Sequence, residues 1–170
     1  MSETRLGGGR RSFLLAAAAL VLSRGARGAD GPPPKPGPRD LCPVCGMLVA
    51  KYPNWVAIVE NEDGRARFFD GAKDLFKYLF DVPKYGGGGK PAGIVRRWVT
   101  EFYGLSRIDA RKAFYVVGSD VLGPMGHELV PLASREEAEE FLADHRGRRI
   151  LTFTEVGRNL LDKIDAGRFD

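Results

Sequence analysis

The sequence predicts an α+β fold of two similar ββαβ units whose sheets are mainly antiparallel. Three observations predict it. Short β-branched and aromatic runs come in pairs joined by polar turns, and each pair precedes an amphipathic helical stretch. The order strand–strand–helix–strand then occurs twice, about sixty residues apart, as a weak internal repeat in order rather than in identities. Hairpins join antiparallel neighbours, which sets the sheet type.

In the first unit, residues 56–59 read as a strand, 61–64 (Asn-Glu-Asp-Gly) as a turn and 66–69 as the returning strand. Asp70 is placed to cap the next helix, on which Leu75, Phe76, Leu79 and Phe80 share a face. Residues 85–93, with four consecutive glycines, read as a mobile loop, and 94–103 as a strand carrying Trp98, Val99 and Phe102. In the second unit, 113–118 is a strand, 119–127 a loop and 128–132 a strand. Ser134-Arg135-Glu136-Glu137 is a capping box, in which hydroxyl and carboxylate satisfy free helix-terminal N–H groups. Ala138, Phe141 and Leu142 form that helix's apolar face, Gly147 ends it, 150–153 is the last strand, and a short helix around Leu160, Leu161 and Ile164 closes the chain.

The chain has 170 residues, with 26 Lys and Arg against 22 Asp and Glu. Residues 1–28 hold five of the arginines and one acid, which leaves 21 charges of each sign in the remainder. That remainder is electrically balanced and lacks the basic footprint that nucleic-acid binding requires. Arg10-Arg11-Ser12-Phe13-Leu14, the apolar run to Leu22 and the small residues at 25–29 predict a secretory leader at 1–28 of twin-arginine type, and hence the bacterial periplasm. No cysteine sits at the leader's end, so a lipid tether to the membrane is not indicated. Residues 29–39, with five prolines, read as an extended linker; the folded domain is expected over 40–170, with halves of about 40–104 and 105–170.

The sharpest chemical feature is Cys42-Pro43-Val44-Cys45-Gly46-Met47. Two sulfurs at this spacing can grip one metal ion or form a disulfide. A structural zinc site would need His127 and His145 to complete it, because the chain has no second Cys-x-x-Cys. A redox pair is usually supported by a helix, and Pro53 stops the stretch after Met47 early. Thiolate with thioether suits Cu(I), a soft ion content with two or three ligands. An oxidising compartment favours a plain disulfide, so all four readings stay open here. The second feature is Gly123-Pro124-Met125-Gly126-His127. Beyond the initiator the only methionines are Met47, beside the cysteines, and Met125, beside a histidine. His145 shares a helix face with Ala138 and Phe141 and suits a last-turn role, while remaining a candidate ligand. No Ser–His–Asp set, phosphate loop or paired-carboxylate site is evident, so an enzyme is not expected.

Cys42 to Met47, the Phe68-Phe69-Asp70-Gly71 run continuing to Leu79, residues 109–119, Gly123-Pro124-Met125-Gly126 and the Ser134 helix together resemble the NosL-type nitrous oxide reductase accessory proteins. The match runs from about 40 to 157. The resemblance implies a periplasmic, non-enzymatic copper chaperone of denitrification, with Cu(I) as cargo and apo-nitrous oxide reductase, for its multicopper sulfide centre, as recipient. It further implies exchange with other periplasmic copper carriers, and two ββαβ units of the kind seen in organomercurial lyase. Its copper ligands would be cysteine and methionine sulfur with a histidine alongside, which map to Cys42 or Cys45, or both, and to Met125, with Met47, His127 and His145 as further candidates. The rivals are a periplasmic thiol–disulfide oxidoreductase using Cys42 and Cys45, and a structural zinc module that binds a partner protein.

Overall fold

Two antiparallel sheets with the same wiring organise residues 31–87 and 93–170, which the computed structural model describes. The expected leader lies outside the described residues, as do residues 29–30 of the linker and 88–92 of the glycine-rich loop. The first unit runs β1 (Ala57–Asn61), β2 (Ala66–Phe69), α1 (Ala72–Phe80), α2 (Val82–Tyr85), β3 (Ile94–Thr100) and β4 (Arg107–Asp109). The second runs β5 (Phe114–Val117), β6 (Leu122–Gly123), β7 (Gly126–His127), β8 (Val130–Leu132), α3 (Arg135–Asp144) and β9 (Arg149–Thr152), before the closing α4 (Arg158–Asp165).

In each unit the opening strand is central. Its hairpin partner lies on one side and the strand after the helix on the other, giving the orders β2-β1-β3-β4 and β8-β5-β9. Ile58 thus stands between Phe68 and Trp98, and Phe114 between Leu132 and Thr152. This is the expected α+β class, with ββαβ order in both units.

Alternation along β5 decides what each helix meets. Tyr115 and Val117 belong to the large core with Phe76 of α1, Leu129, and Leu161 and Ile164 of α4. Val116 points the other way, into a smaller core with Val130, Leu132, Ala138 and Phe141. The central sheet of the second unit therefore separates α1 and α4 from α3. The Phe76 ring meets the edge of Tyr115, centroids 5.2 Å apart, and stacks obliquely on Phe153 at 4.9 Å.

Three local expectations need correction. The loop expected over 119–127 contains the small β6–β7 hairpin, turned by Gly126 at φ +80°. Tyr85, expected to open the loop over 85–93, instead ends a helical turn, α2, whose Lys84 N–H the Asp81 carboxylate caps. Asp70 does not cap α1. The N-cap is Gly71, without a side-chain cap, and Asp70 serves another purpose.

Candidate metal centre

The Cys-x-x-Cys segment is held as a tight loop by its own backbone. The Cys42 N–H donates to the Met47 carbonyl and the Gly46 N–H to the Cys42 carbonyl, both at 2.9 Å. Gly46 makes that closure with φ +79°, a conformation that costs glycine little and most residues more. Leu41 and Leu48 bridge across the loop's mouth, and the Val49 N–H reaches the Asp40 carbonyl at 3.0 Å. Both sulfurs then face the start of α1.

There they meet two carboxylates. The Cys42 thiol donates to Asp74 Oδ2 at 3.3 Å, and the Cys45 thiol donates to the two oxygens of Asp70 at 3.2 and 3.3 Å. One donor atom from each of the four residues lies within 4.8 Å of the other three. A tetrahedral ion with metal–ligand distances of about 2.0–2.3 Å spaces its ligands by under 4 Å, so the cluster is close to the size of one coordination sphere. Cys42 and Asp70 are each 1% exposed and Asp74 3%. Both cysteines are free thiols.

Burial pushes the thiols up, Cys45 to about 12 and Cys42 further, well beyond the ordinary thiol range. Backbone N–H groups of Cys45 and Val44 beside Cys42, and of Met47 beside Cys45, pull the other way, while Asp70 and Asp74 add to the rise. Asp74 is itself raised, first by burial, with the Asp70 charge adding to it and the thiols and Lys77 opposing. Near neutral pH both thiols therefore hold their protons. A cation entering here would replace thiol protons and relieve two buried carboxylates.

The cluster opens on a cleft of about 460 Å³ whose walls include Val44, Cys45, Asp74, Lys77, Met125 and Asp165. Met125, on the turn of the β6–β7 hairpin, is 47% exposed. The structure thus brings Met125 to the same cleft as Cys45. Met47 supplies the backbone carbonyl and N–H that shape the loop. His127 lies at the hairpin's end with its ring against Phe169, centroids 4.9 Å apart, and its carbonyl turned to Lys73. His145 caps the end of α3. Its ring packs on Phe141 and Phe102, and Nδ1 lies 3.1 Å from Asp120. Neither histidine lines the cleft or joins the four-residue cluster.

Sequence reasoning missed Asp70 and Asp74 as site residues. By sequence alone Asp74 is an ordinary acid in a first helical turn, where the dipole welcomes it. The available signal was their placement, two acids four apart between the apolar pairs Phe68-Phe69 and Leu75-Phe76.

The model of the NosL family matches residues 33–161. The copper-binding lipoprotein NosL of Stutzerimonas stutzeri is 30% identical over 125 residues, 73% of this chain and 65% of that protein, so the chain spans just under two thirds of its length. The crystal structure of the copper chaperone NosL from Shewanella denitrificans superposes with a TM-score of 0.59 at 25% identity, covering 75% of this chain and 99% of that one. The solution structure of apo-NosL from Achromobacter cycloclastes is 29% identical, covers 64% of this chain and 87% of that one, and has a TM-score of 0.42.

Proposed function

The chain belongs to the NosL family, and we propose that it carries Cu(I) in the periplasm and delivers it to apo-nitrous oxide reductase for assembly of the multicopper sulfide centre. Exchange with other periplasmic copper carriers would load it. Export would use the twin-arginine-type leader at 1–28, followed by the linker at 29–39 and the copper-binding domain at 40–170. No helix among the described residues is long and apolar enough to cross a membrane.

The observation that carries the reading is the thiol pair, Cys42 buried and Cys45 half-buried on the wall of a cleft that Met125 also lines. Two thiolates and a thioether make a low-coordinate soft set suited to Cu(I). Asp70 and Asp74 act on the exchange. They accept hydrogen bonds from the protonated thiols and so stabilise the empty state. When a recipient's sulfur ligands displace the protein's own, each freed thiolate regains a proton and its carboxylate partner. Two protons go in for one Cu(I) out, which favours discharge. No step makes or breaks a covalent bond in a substrate, so the role is non-enzymatic.

The same proton affinity weighs against a thiol–disulfide oxidoreductase, whose attacking cysteine needs an accessible, stabilised thiolate. One observation favours a second reading. The two carboxylates complete a four-ligand oxygen and sulfur set that suits zinc better than Cu(I). Competition titration of the mature protein with Cu(I)- and zinc-selective chelators separates the two. The copper reading expects tight Cu(I) binding, lost in Cys42→Ser/Cys45→Ser, weakened in Met125→Leu and not weakened in Asp70→Asn. Affinity for zinc that exceeds affinity for Cu(I), depends on Asp70 and ignores Met125 overturns it.

A further inference from the structure

We propose that Lys73 is the positioning residue that sets Met125 against the thiol pair; the inference rests on the reading of Met125 as a copper ligand. Lys73 is 1% exposed, although lysine normally keeps its ammonium in water. Its ammonium donates to the Met125 carbonyl at 3.2 Å and the His127 carbonyl at 2.7 Å, and it pairs with Asp165 Oδ1 of α4 at 2.9 Å. All three donors are thereby used.

The two carbonyls flank Gly126, so the ammonium grips the β6–β7 hairpin at its turn. That hairpin has two residues per strand, far too few to hold itself in place, and it carries a half-exposed Met125. From below, the Glu128 carboxylate accepts the Lys73 N–H at 2.6 Å and the Leu129 N–H at 2.8 Å, fastening the start of α1 to the strand that leaves the hairpin. A Cβ on Gly71 would run into the Glu128 carboxylate, so glycine there lets the two come close.

Residues 70–74 are therefore a single rigid piece with two duties. Asp70 and Asp74 receive the thiols, and Lys73 between them holds the methionine hairpin. A buried lysine is an expensive way to gain stability alone, since an apolar side chain of that size would fill the space more cheaply. What the ammonium adds is a fixed distance between sulfur donors 80 residues apart in sequence, as Cys45 and Met125 are.

The test is a double-mutant cycle on the mature protein. Cu(I) affinity is measured by competition with a Cu(I)-selective chelator, and the sulfur neighbours of bound copper are counted by X-ray absorption. Met125→Leu and Lys73→Met are each expected to weaken binding by about tenfold to a hundredfold and to leave two sulfur neighbours in place of three. In Lys73→Met/Met125→Leu the affinity is expected to equal that of Met125→Leu, because Lys73 acts through Met125. Losses that multiply in the double variant, or an unchanged affinity and sulfur count in Lys73→Met, overturn the inference while leaving Met125 a ligand. An unchanged Met125→Leu overturns the ligand reading itself, and the inference with it. Should Lys73→Met fail to fold, Asp165→Asn, 42% exposed in its side chain, loosens the same ammonium. Its smaller loss must also vanish in the Met125→Leu background; a loss that persists there overturns the inference.

Discussion

Helices α1 and α3 occupy equivalent places in the two ββαβ units, yet they begin in opposite ways. α3 follows the local rule, with the Ser134 hydroxyl accepting the Glu137 N–H at 3.1 Å and the Glu137 carboxylate returning to the Ser134 N–H. α1 has no local cap. Its start is served by Glu128, 55 residues away, and the acid beside it in sequence, Asp70, is turned to a thiol. The difference teaches what each helix is for. α3 only has to stay folded against Val116, Val130 and Leu132, so four neighbouring residues suffice. The start of α1 also holds the thiols and the methionine hairpin, so its polar groups are committed to distant partners.

The largest effect expected from this contrast is on binding. If the start of α1 is built to keep two thiols protonated, Cu(I) can enter only by expelling their protons. Cys45 is pushed up to about 12 and Cys42 higher, so neither thiol ionises in the free protein near neutrality. Apparent Cu(I) affinity should then rise with pH by about tenfold per unit for each proton released, hence about a hundredfold per unit for two. Chelator competition at a series of pH values measures the slope. A flat profile would mean that the thiolates pre-exist and would remove the role given to Asp70 and Asp74.

A smaller effect is expected on stability when the remote cap is cut. Glu128→Ala leaves the buried Lys73 and Leu129 N–H groups without an acceptor and should cost about 2–4 kcal/mol by chemical denaturation. Glu128→Gln keeps the accepting oxygen and should cost far less. Burial pushes the Glu128 carboxyl up to about 8, with Asp74 adding to the rise and Lys73 and the two N–H groups opposing it. The folded state thus holds a proton that the unfolded chain releases at ordinary carboxylate pH. Its contribution is fully present below the unfolded value and is lost as pH rises towards about 8. Wild-type stability should fall across that window, and Glu128→Gln should flatten this part of the profile.

What was legible in the sequence follows the same division. The strands at 56–59, 66–69 and 113–118, the capping box at Ser134 and the short closing helix could be read because their causes lie within a few residues. The thiols and Met125 were visible as rare sulfur residues, although the cleft that Cys45 and Met125 share was not. Asp70 was misread because an acid before a helix is locally a good cap, and nothing nearby shows that Cys45 competes for it. Lys73 and Glu128 were passed over because charged residues are normally solvated; their burial comes from packing between units. The β6–β7 hairpin escaped because strands of two residues carry no alternation to read.

The smallest expected effect belongs to the other side of the comparison and tests it most sharply. Ser134→Ala removes a local cap and should cost about 1 kcal/mol of stability. Cu(I) affinity and its pH slope should not change. The reason is geometric, because α3 packs on the face of β5 that carries Val116, whereas α1 and α4 pack on the face that carries Tyr115 and Val117. A loss confined to the start of α3 reaches the cleft only by displacing the central strand, which is bonded on both sides, to β8 and to β9. A cost of this size would leave those ladders closed. If Ser134→Ala weakens copper binding by more than the scatter between titrations, the two units are coupled through β5. The site would then no longer belong to the start of α1 and the hairpin alone.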